Sequence, residues 1–325
     1  MSAPLFWQKR NFFAATLLPW AGFYLLGRLV HKWWRTRQRV HLNVPVISVG
    51  NLTAGGAGKT PVVQALAKHF TQHGHIVAVL SRGYGGKTET ARLVKETHTP
   101  LQVGDEPMEI FHAKVAAQVW VGPDRRETAR RAVADGATLL ILDDGFQYDA
   151  LYRDVDLLVV DGATGLGNRW PLPAGPLRDL PSAGCRADGV IMVGDGQAPL
   201  PKNWHMSRFD LSFAPPPPAL LQTPLVAFAG LGRPSKFFDA LLQHRAHVMA
   251  TVPFPDHHFY TADDETYLAD LAQHHNATLA TTAKDAVKLS PGFRHQVAVV
   301  PITFTPEKLA RLTSWLDSLL AARER

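Results

Sequence analysis

The stretch VISVGNLTAGGAGKTPVVQALAKHF, residues 46–70, contains three successive patterns. It begins with the β-branched run 46–50, continues through the glycine-rich segment 51–58 and ends with apolar residues at helical spacing. This order predicts a strand, a loop and a helix, which is the context in which a Gly-Lys-Thr triplet forms a phosphate-binding loop. We therefore expect residues 46–70 to begin an α/β fold that binds a nucleotide.

The predicted phosphate-binding loop covers positions 53–60. Its glycines allow backbone N–H groups to turn towards phosphate oxygens, and the following helix N-terminus favours an anion. Lys59 is expected to reach the β- and γ-phosphates, and the hydroxyl of Thr60 to bind Mg²⁺. The loop departs from the G-x-x-x-x-G-K-T pattern at its first position, which is Thr53 instead of glycine. The expected nucleotide-binding residues are Thr53, Ala54, Gly55, Gly56, Ala57, Gly58, Lys59 and Thr60.

A phosphate-binding loop also needs a carboxylate at the end of a second buried strand, which holds the metal directly or through water. The apolar run that ends at residue 142 is followed by Asp143 and Asp144, and the run that ends at residue 160 is followed by Asp161. A single Asp at a strand end is often a turn or cap residue. The pair is therefore the favoured Mg²⁺ site, with either carboxylate as the ligand.

Apolar strands alternate with helical stretches over most of the chain. This alternation predicts an α/β fold in which a mostly parallel sheet of the P-loop NTPase type is joined to a second, smaller α/β domain. The proline run 215–218 marks a boundary, because proline cannot continue a helix or a central strand. We predict an N-terminal helix in 1–40, a P-loop domain in 41–214 and a smaller domain in 215–325. The predicted strands lie in VISVG, IVAVLS, VAAQVWVG, TLLILDD, DLLVVDG, DGVIMVG, LVAFAG, VMATVPF, ATLATT and VAVVPI.

Positive charge is concentrated near the N-terminus. The first carboxylate is Glu89, whereas the residues before it carry eleven Lys and Arg side chains, so the remainder of the chain is net negative. A nucleic-acid-binding surface would spread its basic residues through a domain, and that class is excluded. The single cysteine, Cys185, excludes an internal disulfide and a metal site of several thiolates.

The uncharged apolar stretch 11–27 lies between basic residues and is rich in aromatic side chains. Such a segment favours attachment to an anionic membrane surface, with the aromatic rings at the level of the lipid headgroups. Three other interpretations stay open: a cleaved signal peptide, a single membrane-spanning helix and an ordinary buried amphipathic helix.

Two α/β units imply a cleft, and ligands of open α/β sheets bind beyond the carboxyl ends of the strands. Unusual polar residues follow the predicted strands at such ends, in segments 81–84, 143–147 and 256–258 and at Arg125. We expect these segments to share one site.

Nine motifs occur in order along nearly the whole chain, and together they closely resemble the tetraacyldisaccharide 4′-kinase family. One departure is Ala283, where the family usually has Glu in a TTEKD motif, although Lys284 and Asp285 are present. The motifs are GNLTAGGAGKTP (50–61), SRGYGG (81–86), GDEP (104–107), VGPDRR (121–126), DDGFQ (143–147), NRWPLPAGPLR (168–178), AFAGLGRPSKFF (227–238), FPDHHFY (254–260) and TTAKDAVKL (281–289).

The resemblance implies transfer of the γ-phosphate of ATP to the 4′-hydroxyl of a tetraacyldisaccharide 1-phosphate, which gives lipid IVA in lipid A biosynthesis. It implies ATP and Mg²⁺ as cofactors and a peripheral, monotopic place on the cytoplasmic face of the bacterial inner membrane. The expected partners are the lipid A disaccharide 1-phosphate and an anionic membrane surface, with no nucleic acid and no obligate protein partner.

The resemblance also implies a catalytic pair. Asp105 of GDEP is the base that takes the proton of the acceptor hydroxyl, and His257 pairs with it. Lys59, Glu106 and Arg125 complete the candidate catalytic set: Glu106 as a neighbour of the metal or of Lys59, and Arg125 as a cation that stabilises charge on the transferred phosphoryl group.

Two other functions stay open for a chain with this loop. A non-kinase P-loop ATPase switch of the partitioning or metallochaperone type has a similar loop, but it lacks GDEP and PLPAGPLR, and metal insertion favours a Cys or His cluster. A soluble small-molecule kinase or ligase with an incidental apolar N-terminal helix is the second.

Overall fold

The computed structural model describes residues 4–323. Its N-terminal segment contains a 3-10 turn (Leu5–Trp7) and two helices, α1 (Phe12–Thr16) and α2 (Leu18–Thr36). The side chain of Asn11 caps α1 by accepting a hydrogen bond from the backbone N–H of residue 14. Pro19 lies in the first turn of α2, where its missing N–H costs no helical hydrogen bond. The predicted N-terminal helix is therefore two helices.

The larger unit alternates strands and helices around one sheet. Its strands lie in the order β3-β4-β2-β5-β1-β6-β7-β8, and every neighbouring pair is parallel except β3 with β4. A 3-10 helix covers Pro181–Arg186. The elements are β1 (Val46–Gly50), α3 (Lys59–Gln72), β2 (Val77–Ser81), β3 (Arg92–Leu93), α4 (Pro100–Val103), α5 (Asp105–His112), β4 (Gln118–Val121), α6 (Arg125–Ala134), β5 (Leu139–Asp143), β6 (Val155–Asp161), β7 (Gly189–Val193) and β8 (Ser207–Leu211).

The smaller unit is a four-stranded, fully parallel sheet in the order β10-β9-β11-β12, with helices between its strands. The α/β class with a mostly parallel main sheet is thereby confirmed. The elements are α7 (Pro218–Gln222), β9 (Leu225–Ala229), α8 (Pro234–Gln243), β10 (Val248–Pro253), α9 (Ala262–His274), β11 (Thr278–Thr282), α10 (Ala283–Ala286), α11 (Pro291–Arg294), β12 (Val297–Val300) and α12 (Pro306–Arg323).

The sheet of the larger unit is covered on both faces. Strands β1, β2, β5, β6 and β7 are buried along their whole length, as is typical of parallel strands between two layers of helices. Because β1 lies between β5 and β6, the loop after β1 emerges in the middle of the carboxyl edge of the sheet.

Two short segments cross between the units side by side. Phe213 and Phe304 form an antiparallel bridge, and their rings stack with centroids 5.4 Å apart. Helix α12 then returns to the larger unit, where the buried Leu312, Leu316 and Leu320 join the core that contains the apolar face of α3. Residues 306–323 were predicted to belong to the smaller domain, 215–325. They pack instead on the larger unit, because the apolar side of α12 is buried in its core.

Helix α2 docks on the larger unit through polar contacts. Arg28 lies 3.3 Å from both Asp149 and Asp179, and the hydroxyl of Tyr24 donates to the backbone carbonyl of Arg178 at 3.1 Å. The rest of the α1–α2 surface is unusually apolar. Its exposed large apolar side chains are Phe12, Phe13, Leu18, Trp20, Phe23, Leu26, Leu29, Val30, Trp33 and Trp34.

Within residues 4–323, no helix has both the length and the apolarity needed to cross a membrane. The attachment of α1 and α2 to a membrane surface stays a prediction.

Candidate active site

The predicted phosphate-binding loop connects β1 to α3. Gly55 and Gly58 adopt positive φ angles of 108° and 84°, so both positions use a backbone conformation that favours glycine. Thr53 instead forms an antiparallel bridge with Leu177, and the N–H of Ala54 donates to the carbonyl of residue 176 at 2.7 Å. Position 53 therefore pairs with the PLPAGPLR segment and does not adopt a left-handed conformation, which explains why threonine is compatible with the loop.

Lys59 is held at the first turn of α3 by two oxygen atoms. Its Nζ donates to Oδ1 of the buried Asn51 at 3.3 Å and lies 3.4 Å from Oδ1 of Asp144. The amide of Gln147 donates to the backbone carbonyl of Asn51 at 2.7 Å, so the segment after β5 also supports the loop after β1. The ammonium group is thus fixed where the loop would bring phosphates.

Asp144 lies directly beyond β5 in a left-handed conformation, with φ of 52°. Its carboxylate accepts a hydrogen bond from Arg178 at 2.7 Å, and its backbone carbonyl accepts one from the buried Arg125 at 2.9 Å. Burial would raise the pKa of Asp144, but the charges of Lys59 and Arg178 outweigh burial and hold the pKa well below its usual range. Asp144 is therefore a carboxylate bound by cations.

Asp143, the last residue of β5, has a different environment. It is buried, and Oδ1 has no hydrogen-bond partner among the described residues. Burial, reinforced by the negative charge of Glu106, raises the pKa of Asp143 to about 7 although Lys59 is close. A buried carboxylate oxygen without a partner, close to Lys59 of the P-loop, fits Mg²⁺, which prefers oxygen ligands.

The competing carboxylate, Asp161, already has partners on both oxygens. Oδ1 accepts hydrogen bonds from Ala163 and Thr164, and Oδ2 lies within 3.1 Å of Arg233 and Lys236. At the end of β5, Oδ1 of Asp143 and Oδ1 of Asp144 both lack a hydrogen-bond partner among the described residues, although Oδ1 of Asp144 lies 3.4 Å from Nζ of Lys59. Asp161 has no such oxygen, so the Asp143–Asp144 pair is the better metal site.

The two units meet at Asp105, the first residue of α5. Its Oδ2 lies 2.7 Å from Nδ1 of His257 and 3.6 Å from Nζ of Lys284, and both of these residues belong to the smaller unit. Burial would raise the pKa of Asp105, but the hydrogen bond with His257 and the charge of Lys284 outweigh burial and lower it to about 2. Asp105 is ionised at neutral pH.

Local backbone geometry brings this pair together. Gly104, with φ of 95°, packs against the backbone of residues 83–84, so the GDEP turn rests on the SRGYGG loop. His257 adopts a φ of 58°, which is uncommon for a residue other than glycine, and its ring centroid lies 6.0 Å from that of Tyr84. Backbone strain at such a position is a frequent property of functional sites.

Several expected residues thus gather at the carboxyl edge of the larger sheet, but two make fewer contacts. The side chain of Glu106 forms no hydrogen bond or ion pair with the described residues, although its charge acts on Asp143 and Lys284. Arg82 is exposed. The catalytic and binding roles of the candidate residues stay predictions.

Sequence reasoning missed three residues that the structure adds to the site. Asn51 and Arg178 contact the Lys59–Asp144 pair, and Lys284 contacts Asp105. Arg178 ends the PLPAGPLR motif and Lys284 follows a predicted strand, so the same strand-end and motif criteria would have found them. Burial would lower the pKa of Lys284, but the nearby carboxylates of Asp105 and Glu106 outweigh burial and raise it.

A mostly parallel sheet whose central strand runs into a phosphate-binding loop, with a carboxylate and a histidine brought together beside it, defines a P-loop kinase. The family of tetraacyldisaccharide-1-P 4′-kinases matches residues 13–321. The chain belongs to this family.

Relatives match over nearly the whole length. The tetraacyldisaccharide 4′-kinase of Gluconobacter oxydans is 42% identical, over 95% of this chain and 97% of the relative. The tetraacyldisaccharide 4′-kinase of Gluconacetobacter diazotrophicus is 42% identical, over 98% of this chain and 99% of the relative. The fold is similar to the "apo" form of LpxK from Aquifex aeolicus in complex with ATP, with a TM-score of 0.77 and 26% identity over 94% of this chain and 99% of that one. These relatives give no support to a non-kinase ATPase switch.

Proposed function

We propose that this protein transfers the γ-phosphate of ATP to the 4′-hydroxyl of a tetraacyldisaccharide 1-phosphate, the lipid A precursor, and so forms lipid IVA. The observation that carries the proposal is the contact of Asp105 with His257 across the two units, beside a phosphate-binding loop in a chain of this family. A kinase needs such a base near its transferred phosphoryl group, whereas a nucleotide switch does not need one.

ATP binds with its phosphates on residues 53–60. Backbone N–H groups of the loop surround the phosphates, and Lys59 contacts the β- and γ-phosphates. Thr60 and Asp143 would hold Mg²⁺, with Asp144 as the alternative carboxylate. When bound, the metal neutralises charge on the β- and γ-phosphate oxygens.

The acceptor hydroxyl lies against Asp105. Because the pKa of Asp105 is about 2, its carboxylate is ionised at any physiological pH and accepts a hydrogen bond from the hydroxyl. As the oxygen attacks the γ-phosphorus and the bond to ADP breaks, the proton passes to Asp105, and His257 orients and stabilises the protonated pair. Arg125 and Lys59 stabilise the charge on the transferred group.

A lipid disaccharide stays in a bilayer, so the enzyme must reach the membrane surface. The exposed aromatic face of α1 and α2 suits the lipid–water boundary, and the seven Lys and Arg residues up to Arg39 suit an anionic surface. The segment thus acts as a peripheral anchor on the cytoplasmic face of the inner membrane. Arg28 and Tyr24 connect this anchor to the segment 178–179 beside the site.

The test is an assay with γ-labelled ATP and lipid A disaccharide 1-phosphate in mixed micelles. We expect the wild-type protein to transfer the label to the lipid, and Lys59→Ala to give no labelled lipid. The proposal would be wrong, and the protein would be an ATPase, if labelled phosphate were released at the same rate with and without the lipid and no labelled lipid were formed.

A further inference from the structure

Asp161, at the carboxyl end of β6, has no part in the proposed chemistry, yet its side chain is only 5% exposed and fully engaged. Oδ1 accepts hydrogen bonds from the N–H groups of Ala163 and Thr164, at 3.0 Å each, and from the Thr164 hydroxyl at 3.1 Å. Oδ2 contacts Arg233 at 3.1 Å and Lys236 at 2.9 Å. One oxygen therefore fixes the loop of the larger unit, and the other binds the smaller unit.

Arg233 and Lys236 occupy an unfavourable place on their own helix. Arg233 is the N-cap of α8 and Lys236 lies in its first turn, where the helix dipole disfavours positive charge. The first turn of α8 contains no acidic residue that would compensate. Asp161 supplies the missing negative charge from the other unit. The contact between the units therefore accounts for the positions of the two cations, whereas the needs of α8 alone do not.

The segment before α8 packs against the loop that carries His257. A Cβ atom on Gly230 would lie 3.1 Å from the carbonyl of Pro255 and 3.3 Å from Cβ of His258. One on Gly232 would lie 3.3 Å from Oδ2 of Asp256. These close approaches leave little room for the loop 255–258 to move independently of the start of α8.

We propose that Asp161 is a positioning residue: its ion pairs with Arg233 and Lys236 place the start of α8, and through it the loop 255–258, so that His257 reaches Asp105. Together with the contact at Asp105, these ion pairs join the two units at a second place. The inference rests on the proposed role of the Asp105–His257 pair.

Asp161→Asn tests the proposal with little change of volume. The amide oxygen still accepts the hydrogen bonds from residues 163 and 164, whereas the amide nitrogen cannot accept one from Arg233 or Lys236. We expect kcat to fall by about tenfold, the size of a small misplacement of a catalytic group, while KM for ATP stays within about twofold. Thr164→Val, which removes only the hydroxyl donor to Oδ1, serves as the matched control and should leave kcat near the wild-type value.

A double-mutant cycle separates positioning from nucleotide binding. Lys236→Gln should lower kcat in the wild-type background and have no further effect in Asp161→Asn, because both changes break the same contact. If Lys236→Gln instead raised KM for ATP by tenfold or more and left kcat unchanged, the cations would bind the nucleotide and the proposal would be wrong.

A second readout is independent of activity. The imidazole ¹⁵N signals of His257, assigned with His257→Gln, report its hydrogen bond to Asp105. We expect Asp161→Asn to shift these signals towards those of Asp105→Ala, and Thr164→Val to leave them in place. Unchanged signals and unchanged kcat in Asp161→Asn would overturn the proposal. A normal rate in Asp105→Ala would instead contradict the proposed function, whatever the signals show.

Discussion

Asp105 combines deep burial with a low pKa, because His257 and Lys284 stabilise its charge. Replacing it with alanine removes the proton acceptor but leaves the phosphate-binding loop intact. We expect Asp105→Ala to lower kcat by about 10²- to 10⁴-fold, with the Kd for ATP nearly unchanged by calorimetry. Asp263→Asn, an exposed carboxylate on α9, is the control. An equal loss of ATP affinity would place Asp105 at the nucleotide instead.

Glu109 lies one turn after Asp105 on α5 and joins this helix to α3, because Gln64 donates a hydrogen bond to it at 3.0 Å. Burial and the nearby charge of Glu106 raise the pKa of Glu109 to about 8, although Lys284 on α10 opposes the shift. Between its ordinary pKa of 4.5 and this value, the folded protein holds a proton that the unfolded chain has released. The free energy of unfolding should therefore decrease as pH rises through this range, by up to about 1.4 kcal/mol per pH unit.

Glu109→Gln should remove this pH dependence while keeping an acceptor for Gln64. Urea unfolding at pH 5.5, 7 and 8.5 measures the effect, with Glu307→Gln at an exposed position as control. We expect the stability of Glu109→Gln relative to wild type to increase with pH. A constant difference between the two proteins over these pH values would show that Glu109 is ionised throughout.

Apolar runs and glycine-rich turns were the strongest sequence signals for the strands and the loops between them. All ten predicted strands are confirmed, and each corresponds to a mainly apolar run, although β10 and β12 are only partly buried. Strands β3 and β8 were missed: the first has two residues, and the second, SRFDL, is an edge strand with exposed polar positions. A strand of two residues is too short to show a hydrophobic pattern, and a mostly polar strand does not show one.

The packing of the last helix, α12, could not be predicted from its place in the chain, because α12 follows the smaller unit but packs on the larger one. Leu316 of α12 is fully buried in the core of the larger unit, so its truncation leaves a cavity there. We expect Leu316→Ala to lower the free energy of unfolding by about 2–5 kcal/mol in urea denaturation. Ser314→Ala, on the exposed face of the same helix, should cost little. A loss below about 0.5 kcal/mol in Leu316→Ala would contradict the assigned packing.

The paired N-terminal helices present largely exposed aromatic side chains: Trp20, Phe23 and Trp33 are 63%, 70% and 57% exposed. Changing these three to serine should weaken binding to phosphatidylglycerol vesicles by about tenfold or more, because the rings supply the apolar area that enters the interface. Leu101→Ser, an exposed apolar residue on α4, is the control. Vesicle binding that is the same in the triple variant and the wild type would refute the anchor.

For the whole molecule, much of the site could be predicted because its motifs lie at the carboxyl ends of strands that the sequence already indicates. The contacts between distant segments could not. The pairing of Thr53 with Leu177, the ion pair of Arg178 with Asp144 and the approach of Lys284 to Asp105 depend on how loops from separate elements meet. No local pattern records such tertiary contacts.

We propose that Asp105 of the larger unit and His257 of the smaller one act together in a single phosphoryl transfer. The most direct measurement is kcat with γ-labelled ATP and the lipid acceptor for Asp105→Ala, His257→Ala and the double variant. Because residues that act as a unit are not additive, we predict that the double variant is no slower than the slower single variant. Losses that multiply in the double variant, or a His257→Ala enzyme with the wild-type rate, would show that the two residues do not act as a unit.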